Sequence, residues 1–144
     1  MTTRFALDSG IVIRILRRDQ RAARLVSHLS GNARIETSAI VVLEVLRGCC
    51  NPQEELNATA LFRAPDIVDV DYAIANVAGR LIREWKGIFS SEEAVPDAIV
   101  AASAIATSAT LVTLNTRQFG QLRIPGLELL LIDLQAADWI RETT

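Results

Sequence analysis

Short apolar segments suited to β-strands alternate along this chain with longer segments that have helical periodicity. Strands separated by helices pair in parallel through right-handed crossovers, and the helices cover both faces of the resulting sheet. We therefore predict a three-layer α/β/α sandwich around a central, mostly parallel sheet. The strand candidates are Arg4–Leu7, Ile35–Thr37, Ile67–Val70, Thr110–Leu114 and Leu127–Ile132. The helix candidates are a segment opening at Ile11, then Arg21–Ser30, Ala39–Arg47, Pro52 toward Phe62, Tyr72–Lys86, Ala98–Thr107 and Leu134–Ile140.

The length of 144 residues predicts one domain, 1–144, and 50% hydrophobic residues are enough for a packed core. No apolar run approaches the roughly 20 residues that a membrane span needs. No basic-then-apolar leader precedes the first strand, so we expect no export. Because a bridge between the adjacent Cys49 and Cys50 would be strained, we expect free thiols in a cytoplasmic protein.

Several function classes lack the residues that they require. His28 is the only histidine, and adjacent cysteines do not have zinc-site spacing. No glycine-rich phosphate loop is present. With 15 basic and 17 acidic residues, the formal net charge is −2. This balance disfavours binding to nucleic acid by bulk charge, although it allows a local basic patch.

Three carboxylates occur in unusually apolar surroundings. Asp8 ends the first predicted strand, Glu44 lies inside an almost entirely apolar helix that we expect to be buried, and Asp97 opens an alanine-rich helix. Each has a structural interpretation: Asp8 could cap a helix, Asp97 could face a helix dipole, and Glu44 could pair with Arg47 one turn later. An ionised carboxylate removed from water nevertheless costs several kcal/mol unless positive charge meets it.

Taken together, these three acids indicate a shared cation. They lie on three elements of one predicted α/β domain, and the carboxyl ends of parallel strands are where sites gather. Carboxylates without histidine or cysteine suit Mg²⁺ or Mn²⁺ better than zinc. Such an ion activates water and stabilises the charge that develops on a phosphodiester.

Four motifs in order along the chain resemble those of PIN-domain nucleases, and in particular the VapC-type toxins of bacterial toxin–antitoxin pairs. The first three contain Asp8, Glu44 and Asp97, and the fourth contains Thr113 and Asn115. The matching segments are Phe5–Ile13, Thr37–Gly48, Val95–Ala102 and Leu111–Phe119, followed by the closing strand segment Ile124–Leu130.

The resemblance implies a PIN-like fold and a metal-dependent endoribonuclease that is the toxin of its pair. It implies Asp8, Glu44, Asp97 and Asn115 as catalytic residues, with the three acids holding Mg²⁺ or Mn²⁺. It further implies a homodimer, inhibition by a VapB-like antitoxin, and contact with operator DNA only through that antitoxin. Gln118 departs from the pattern because the family commonly has an acid there, three residues after Asn115; this leaves three carboxylates and an amide.

Five arginines follow the first motif at spacings that put them along one side of a helical stretch: Arg14, Arg17, Arg18, Arg21 and Arg24. Arginine forks suit phosphate oxygens, so we expect Arg14, Arg17 and Arg18, with Thr113 of the fourth motif, to contact RNA. The same arginines could instead form a solvated face or a surface for an acidic partner segment.

Two other functions remain open at this point. One is a weakly active or inactive PIN-fold protein that binds RNA or a partner, since Gln118 removes one acid. The other is a different acid-dependent α/β enzyme. A haloacid-dehalogenase-like phosphatase would need an Asp two residues after the first acid, where this chain has Gly10, and a receiver would need a lysine after its last strand, whereas the only lysine is Lys86.

Overall fold

A parallel five-stranded sheet forms the centre of the computed structural model, which describes residues 2–135. The strands are β1 Thr3–Leu7, β2 Ala33–Ser38, β3 Asp66–Val68, β4 Thr110–Thr113 and β5 Glu128–Leu131. The seven helices within these residues are α1 Ser9–Leu16, α2 Gln20–Ser30, α3 Ala39–Arg47, α4 Pro52–Leu61, α5 Tyr72–Glu84, α6 Ala94–Thr107 and α7 Thr116–Phe119.

The spatial order of the strands is β3-β2-β1-β4-β5, with every neighbouring pair parallel. Strands β2 and β3 are added on one side of β1, and the later strands β4 and β5 are added on its other side. The carboxyl end between β1 and β4 is therefore the topological switch point, where open α/β sheets form their binding sites.

Helices cover both faces of the sheet. Leu7 and Ile35 face a hollow lined by residues of α1, α2 and α4, while Glu36 projects to the opposite face and meets Thr107 of α6. Fully buried side chains such as Ile11, Leu25 and Phe119 fill the layers. The predicted three-layer α/β/α sandwich is confirmed.

Several boundaries and one helix differ from the sequence-based expectation. Helix α6 begins at Ala94 rather than Ala98, because Pro96 is tolerated in a first turn, where backbone N–H groups lack intrahelical partners anyway. Helix α7 was not predicted; its four residues are too few to show periodicity. The predicted helix Leu134–Ile140 lies largely outside the described residues.

The expectation that α3 is buried on almost every face is wrong. Val41 and Val45 are buried, but Leu43 is 54% exposed and Glu44 is only half-buried. The apolar sequence of α3 therefore belongs to a helix that leaves one side exposed to solvent.

Within residues 2–135, no helix combines the length and the apolar character that crossing a bilayer would require.

Arg4 of β1 joins three strands by meeting a buried carboxylate of β2 and a carboxylate of β3. Glu36 is 1% exposed and accepts a hydrogen bond from Thr107 at 2.8 Å. Arg4 lies 3.6 Å from its other oxygen and 3.7 Å from Asp66 of β3, which also forms a two-point contact with Arg34. These cross-strand ion pairs favour the observed order β3-β2-β1.

We predict that Arg4→Met destabilises the protein by about 2–3 kcal/mol, because it leaves the buried charge of Glu36 without its cation. Chemical denaturation measures the loss. The double variant Arg4→Met/Glu36→Gln should recover most of it. Arg63→Met, at an exposed position after α4, is the matched control and should change stability by less than about 0.5 kcal/mol; an equal loss in both single variants would contradict the prediction.

Candidate active site

Asp8 lies where the central strand β1 ends and α1 begins. It is 5% exposed, and its Oδ1 accepts the Ser9 N–H at 2.8 Å, capping the helix. Its Oδ2 accepts the Thr113 hydroxyl at 2.7 Å. Burial raises the pKa of Asp8, and the bonds from Thr113 and Ser9 oppose the rise. Asp8 thus caps a helix and also places a carboxylate at the switch point.

Glu44 has a buried oxygen that nothing in the described part of the chain satisfies. Its Oε1 has no hydrogen-bond partner there. Burial raises the pKa of Glu44 and the charge of Asp8 raises it further, whereas Arg47 and the Ser9 hydroxyl lower it. A buried, unpartnered carboxylate oxygen costs free energy unless a donor or a cation meets it. Glu44 therefore keeps one oxygen available for a ligand.

Asp97 completes the group of acids from the first turn of α6. Burial, followed by the negative charges of Asp8 and Glu44, raises its pKa to about 7. Charges perturb a neighbouring pKa in this way only over short distances. The structure therefore brings the three predicted acids, from three different elements, into one region.

The three acids are near one another but do not form a finished metal cage. Within residues 2–135, no three His, Cys, Asp or Glu side chains are arranged so that they could together hold an ion. Unneutralised carboxylates repel one another, which keeps such side chains apart. Their chemistry nevertheless fits Mg²⁺ or Mn²⁺, because every donor is a carboxylate oxygen and Glu44 Oε1 is unpartnered. To hold one ion together, these side chains would have to move closer to one another.

An open cleft of about 740 Å³ lies beside the acids. Glu44, Asp97, Asn115 and Gln118 line it, together with part of the connection between α5 and α6, residues 85–93, hereafter the α5–α6 connection. Arg47 carries the only positive charge among the described lining residues. The cleft is thus polar, largely acidic and large enough for part of an extended polar chain.

The fourth motif supports the acids and also lines the cleft. Thr113 is fully buried; its hydroxyl donates to Asp8 and accepts the Asn115 N–H at 3.0 Å. This corrects the expectation that Thr113 contacts substrate, since it has no exposed surface and instead orients Asp8. Asn115 is exposed to the cleft, and its Oδ1 caps α7 by accepting the Gln118 N–H at 3.4 Å.

The five arginines do not follow one side of a continuous helix. Helix α1 ends at Leu16, Arg17 is its C-cap, and Arg18 has φ 61° in the left-handed region. Helix α2 begins only after its N-cap Asp19. The expectation of a single helical stretch is wrong, because the chain turns between these two helices.

The turn gives the arginines different surroundings. Arg14 forms an ion pair with Asp19 at 3.3 Å, and Arg21 donates to Gln135 at 2.8 Å. Arg17 lines a smaller groove of about 230 Å³ that also contains Glu44. Of the arginines predicted to contact RNA, Arg17 is therefore the one that shares a groove with a candidate catalytic acid.

Sequence reasoning missed Arg47 as a cleft residue, having treated it only as an ion-pair partner for Glu44. The sequence did contain a signal: Glu44 and Arg47 are three residues apart on α3, and residues three apart lie on the same helix face. It also missed Glu36, whose burial follows from its place inside β2 and depends on Arg4 of a distant segment.

Comparison with known proteins identifies the family. Residues 5–124 match the PIN domain family. The chain belongs to the PIN-domain family. This PIN domain is 35% identical over 117 residues to ribonuclease VapC19 of Mycobacterium tuberculosis, covering 78% of this chain and 90% of the relative. The resemblance to VapC-type PIN domains that the four motifs predicted is confirmed.

Solved structures share the fold of this PIN domain. A chain from the crystal structure of VapBC2 from Rickettsia felis bound to a DNA fragment from their promoter matches with a TM-score of 0.75 and 26% identity, covering 91% of this chain and 100% of that chain. A chain from DNA-bound VapBC of Salmonella typhimurium matches with a TM-score of 0.69 and 23% identity, covering 89% and 97%. The second likeness concerns the fold alone.

The raised pKa of Asp97 predicts a pH-dependent stability. Folded Asp97 takes up its proton near pH 7, whereas the unfolded chain does so near the ordinary value of 3.8. Between these values the folded state binds more protons, so Asp97 should make the protein more stable as pH falls from about 7 toward 4. The slope from one proton is at most about 1.4 kcal/mol per pH unit.

Denaturation at several pH values, without divalent cations, tests this expectation as a difference between variants. In Asp97→Asn, the free energy of unfolding should rise less than in wild type as pH falls from about 7 toward 4. Asp69→Asn, at an exposed loop position, should keep the wild-type pH dependence. Parallel pH profiles for wild type and Asp97→Asn would contradict the prediction.

Proposed function

We propose that this protein is a metal-dependent endoribonuclease, the toxin of a toxin–antitoxin pair, acting in the cytoplasm as one PIN domain over residues 1–144. The observation that carries the proposal is the convergence of Asp8, Glu44 and Asp97, with the Asp97 pKa at about 7 and Glu44 Oε1 without a hydrogen-bond partner among residues 2–135. The 35% identity to a ribonuclease of the VapC type supports RNA as the substrate.

The three acids share one role in this proposal, and the neighbouring residues support them. Asp8, Glu44 and Asp97 would hold Mg²⁺ or Mn²⁺, which when bound supplies an acidified water and neutralises charge on the scissile phosphate. Thr113 and Ser9 fix the orientation of Asp8. Without a bound cation the pKa of Asp97 is about 7, so the ion would displace its proton and bind more tightly as pH rises through that value. Asn115 supplies a neutral amide at the cleft wall.

The substrate side of the proposal rests on the arginines around Glu44. Arg47 lines the large cleft and Arg17 the smaller groove, and Glu44 belongs to both. We assign Arg47 and Arg17 to RNA phosphates on either side of the acids, because the guanidinium fork matches phosphate oxygens. Arg14 and Arg18 would extend this contact along the backbone of the substrate.

The partners in this proposal are a VapB-like antitoxin and a second copy of this chain. The likeness to a chain of the VapBC2 complex supports an antitoxin partner. A net charge of −2 gives the chain no general attraction for DNA, so operator DNA would be contacted through the antitoxin.

A weakly active or inactive protein that binds RNA or a partner is the second candidate function. Two observations favour it: Gln118 stands at the position of an expected acid, and residues 2–135 hold no preformed three-ligand metal group. Metal-dependent cleavage by the purified protein separates this candidate from the nuclease.

We predict that Asp8→Asn and Asp97→Asn each lower the rate of RNA cleavage at least about 100-fold, because each removes a charge that holds the ion and the reacting water. Chelation should abolish wild-type cleavage, and Mg²⁺ or Mn²⁺ should restore it. The same ions should raise the wild-type melting temperature and barely change that of Asp97→Asn. Asp69→Asn is the matched control and should cleave like wild type; full activity in both site variants, or cleavage that survives chelation, would overturn the proposal.

Replacement of Arg47 should weaken RNA binding without removing the chemistry. We expect Arg47→Gln to raise KM by about three- to ten-fold and to reduce the salt dependence of RNA binding by about one unit of slope, as for one lost phosphate contact. Arg47→Lys keeps the charge and should recover most of the affinity. Arg80→Gln, at an exposed position on α5, serves as control. Unchanged RNA binding by Arg47→Gln would remove Arg47 from the substrate site.

A further inference from the structure

Gln118 makes two hydrogen bonds, one to the N-cap of its own helix α7 and one to the α5–α6 connection. Its Oε1 accepts the Asn115 side-chain amide at 2.6 Å, and its Nε2 donates to the Ile88 carbonyl at 3.2 Å. Ile88 belongs to the α5–α6 connection, thirty residues away in sequence. Gln118 is thus bonded at both ends of its amide rather than free in the cleft.

The direction of both bonds follows from the neighbours of Gln118. Asn115 uses its Oδ1 to cap α7, so its Nδ2 is the atom left to donate. Gln118 must therefore present its oxygen to Asn115 and its NH₂ group to the Ile88 carbonyl, which can only accept. An amide satisfies both partners at once, whereas an ionised carboxylate cannot donate.

These bonds extend a chain of contacts that begins at the first catalytic acid. Asp8 accepts from the Thr113 hydroxyl, which accepts from the Asn115 backbone N–H. The Asn115 side chain then donates to Gln118, and Gln118 donates to Ile88. The chain of contacts links β1, β4, α7 and the α5–α6 connection. It runs from the buried Asp8 to the α5–α6 connection, of which Ser91, Glu92 and Glu93 line the cleft.

Both ends of the Gln118 link are held by packing. Phe119, the next residue in α7, is fully buried, and Phe89, the next residue after Ile88, is 3% exposed. The N–H groups of Ile88 and Phe89 both bond to the Trp85 carbonyl at 2.9 Å. A single hydrogen bond between two anchored segments can therefore fix their separation.

We propose that Gln118 is a positioning residue that replaces the fourth acid of the site with an amide clamp across the cleft wall. This inference rests on the proposed nuclease function. Through Asn115 and Thr113 the clamp holds Asp8 in its orientation, and through Ile88 it sets the distance between α7 and the α5–α6 connection. The site of this chain is then built on three carboxylates, and a fourth charge at position 118 would open the clamp.

Two variants of similar size distinguish a positioning role of Gln118 from the simple absence of a fourth acid. Gln118→Glu keeps an acceptor for Asn115, loses the donor to Ile88 and adds a charge; Gln118→Met loses both bonds and adds none. We expect both to speed amide hydrogen exchange at Ile88 and Phe89 by about three- to ten-fold, as the loss of one neutral hydrogen bond would. Gln121→Met is the control, because Gln121 bonds to Arg117 within its own segment and should leave that exchange unchanged.

Cleavage kinetics distinguish a positioning residue from a purely structural one, because only the former should lower kcat while KM stays nearly unchanged. Both Gln118 variants should lower kcat for RNA by about three- to ten-fold with KM within two-fold of wild type, and Gln118→Glu should not cleave at lower Mg²⁺ concentration than wild type. Tighter Mg²⁺ binding and faster cleavage by Gln118→Glu, with unchanged exchange at Ile88, would overturn the clamp. So would wild-type exchange in Gln118→Met. Exchange is measured without RNA, so it decides the clamp even if the wild-type protein proves not to cleave RNA.

Discussion

Repulsion among Asp8, Glu44 and Asp97 is the constraint that the candidate site places on the rest of the structure. Burial and mutual repulsion raise the pKa of Glu44 and of Asp97, and burial raises that of Asp8. The fold brings the three carboxylates near one another against this repulsion, at a cost in stability. The core provides the compensating free energy, and local hydrogen bonds to Asp8 reduce the cost. A site strained in this way is typical of function, because a bound cation removes the strain.

The parallel sheet explains why the acids meet. In the register of β1 and β4, Leu7 pairs with Val112, so the next residues along the two strands are Asp8 and Thr113. Their side chains consequently approach to 2.7 Å at the switch point. Helix α3 follows the end of β2, and α6 contacts both α3 and β4, so Glu44 and Asp97 are carried to the same edge. The register of β1 and β4 thus positions Asp8 beside Thr113, and the packing of α3 and α6 brings Glu44 and Asp97 to it.

The order of the elements and the three acids could be predicted from the sequence because both depend on local patterns. The apolar strand ending in Asp8, and acids inside otherwise apolar helices, are visible in windows of about ten residues. The surroundings of Thr113 and the turn at Arg18 could not be predicted, since both depend on packing against distant segments. Helix α7 depends on a single Asn115 cap, and a local pattern of four residues is too short to indicate it.

Two buried glutamates show why burial alone does not identify a site. Glu36 and Glu44 each have an Oε1 without a hydrogen bond within the described residues. Arg4 lies 3.6 Å from that oxygen of Glu36, so the charge is met by another strand and the pair holds the sheet. Glu44 instead faces the negative charge of Asp8 and borders the cleft, where Arg47 is the one cation among the described lining residues. A cation from within the chain makes the first carboxylate structural, whereas the shortage of positive charge beside the second supports its proposed role in binding a cation from solution.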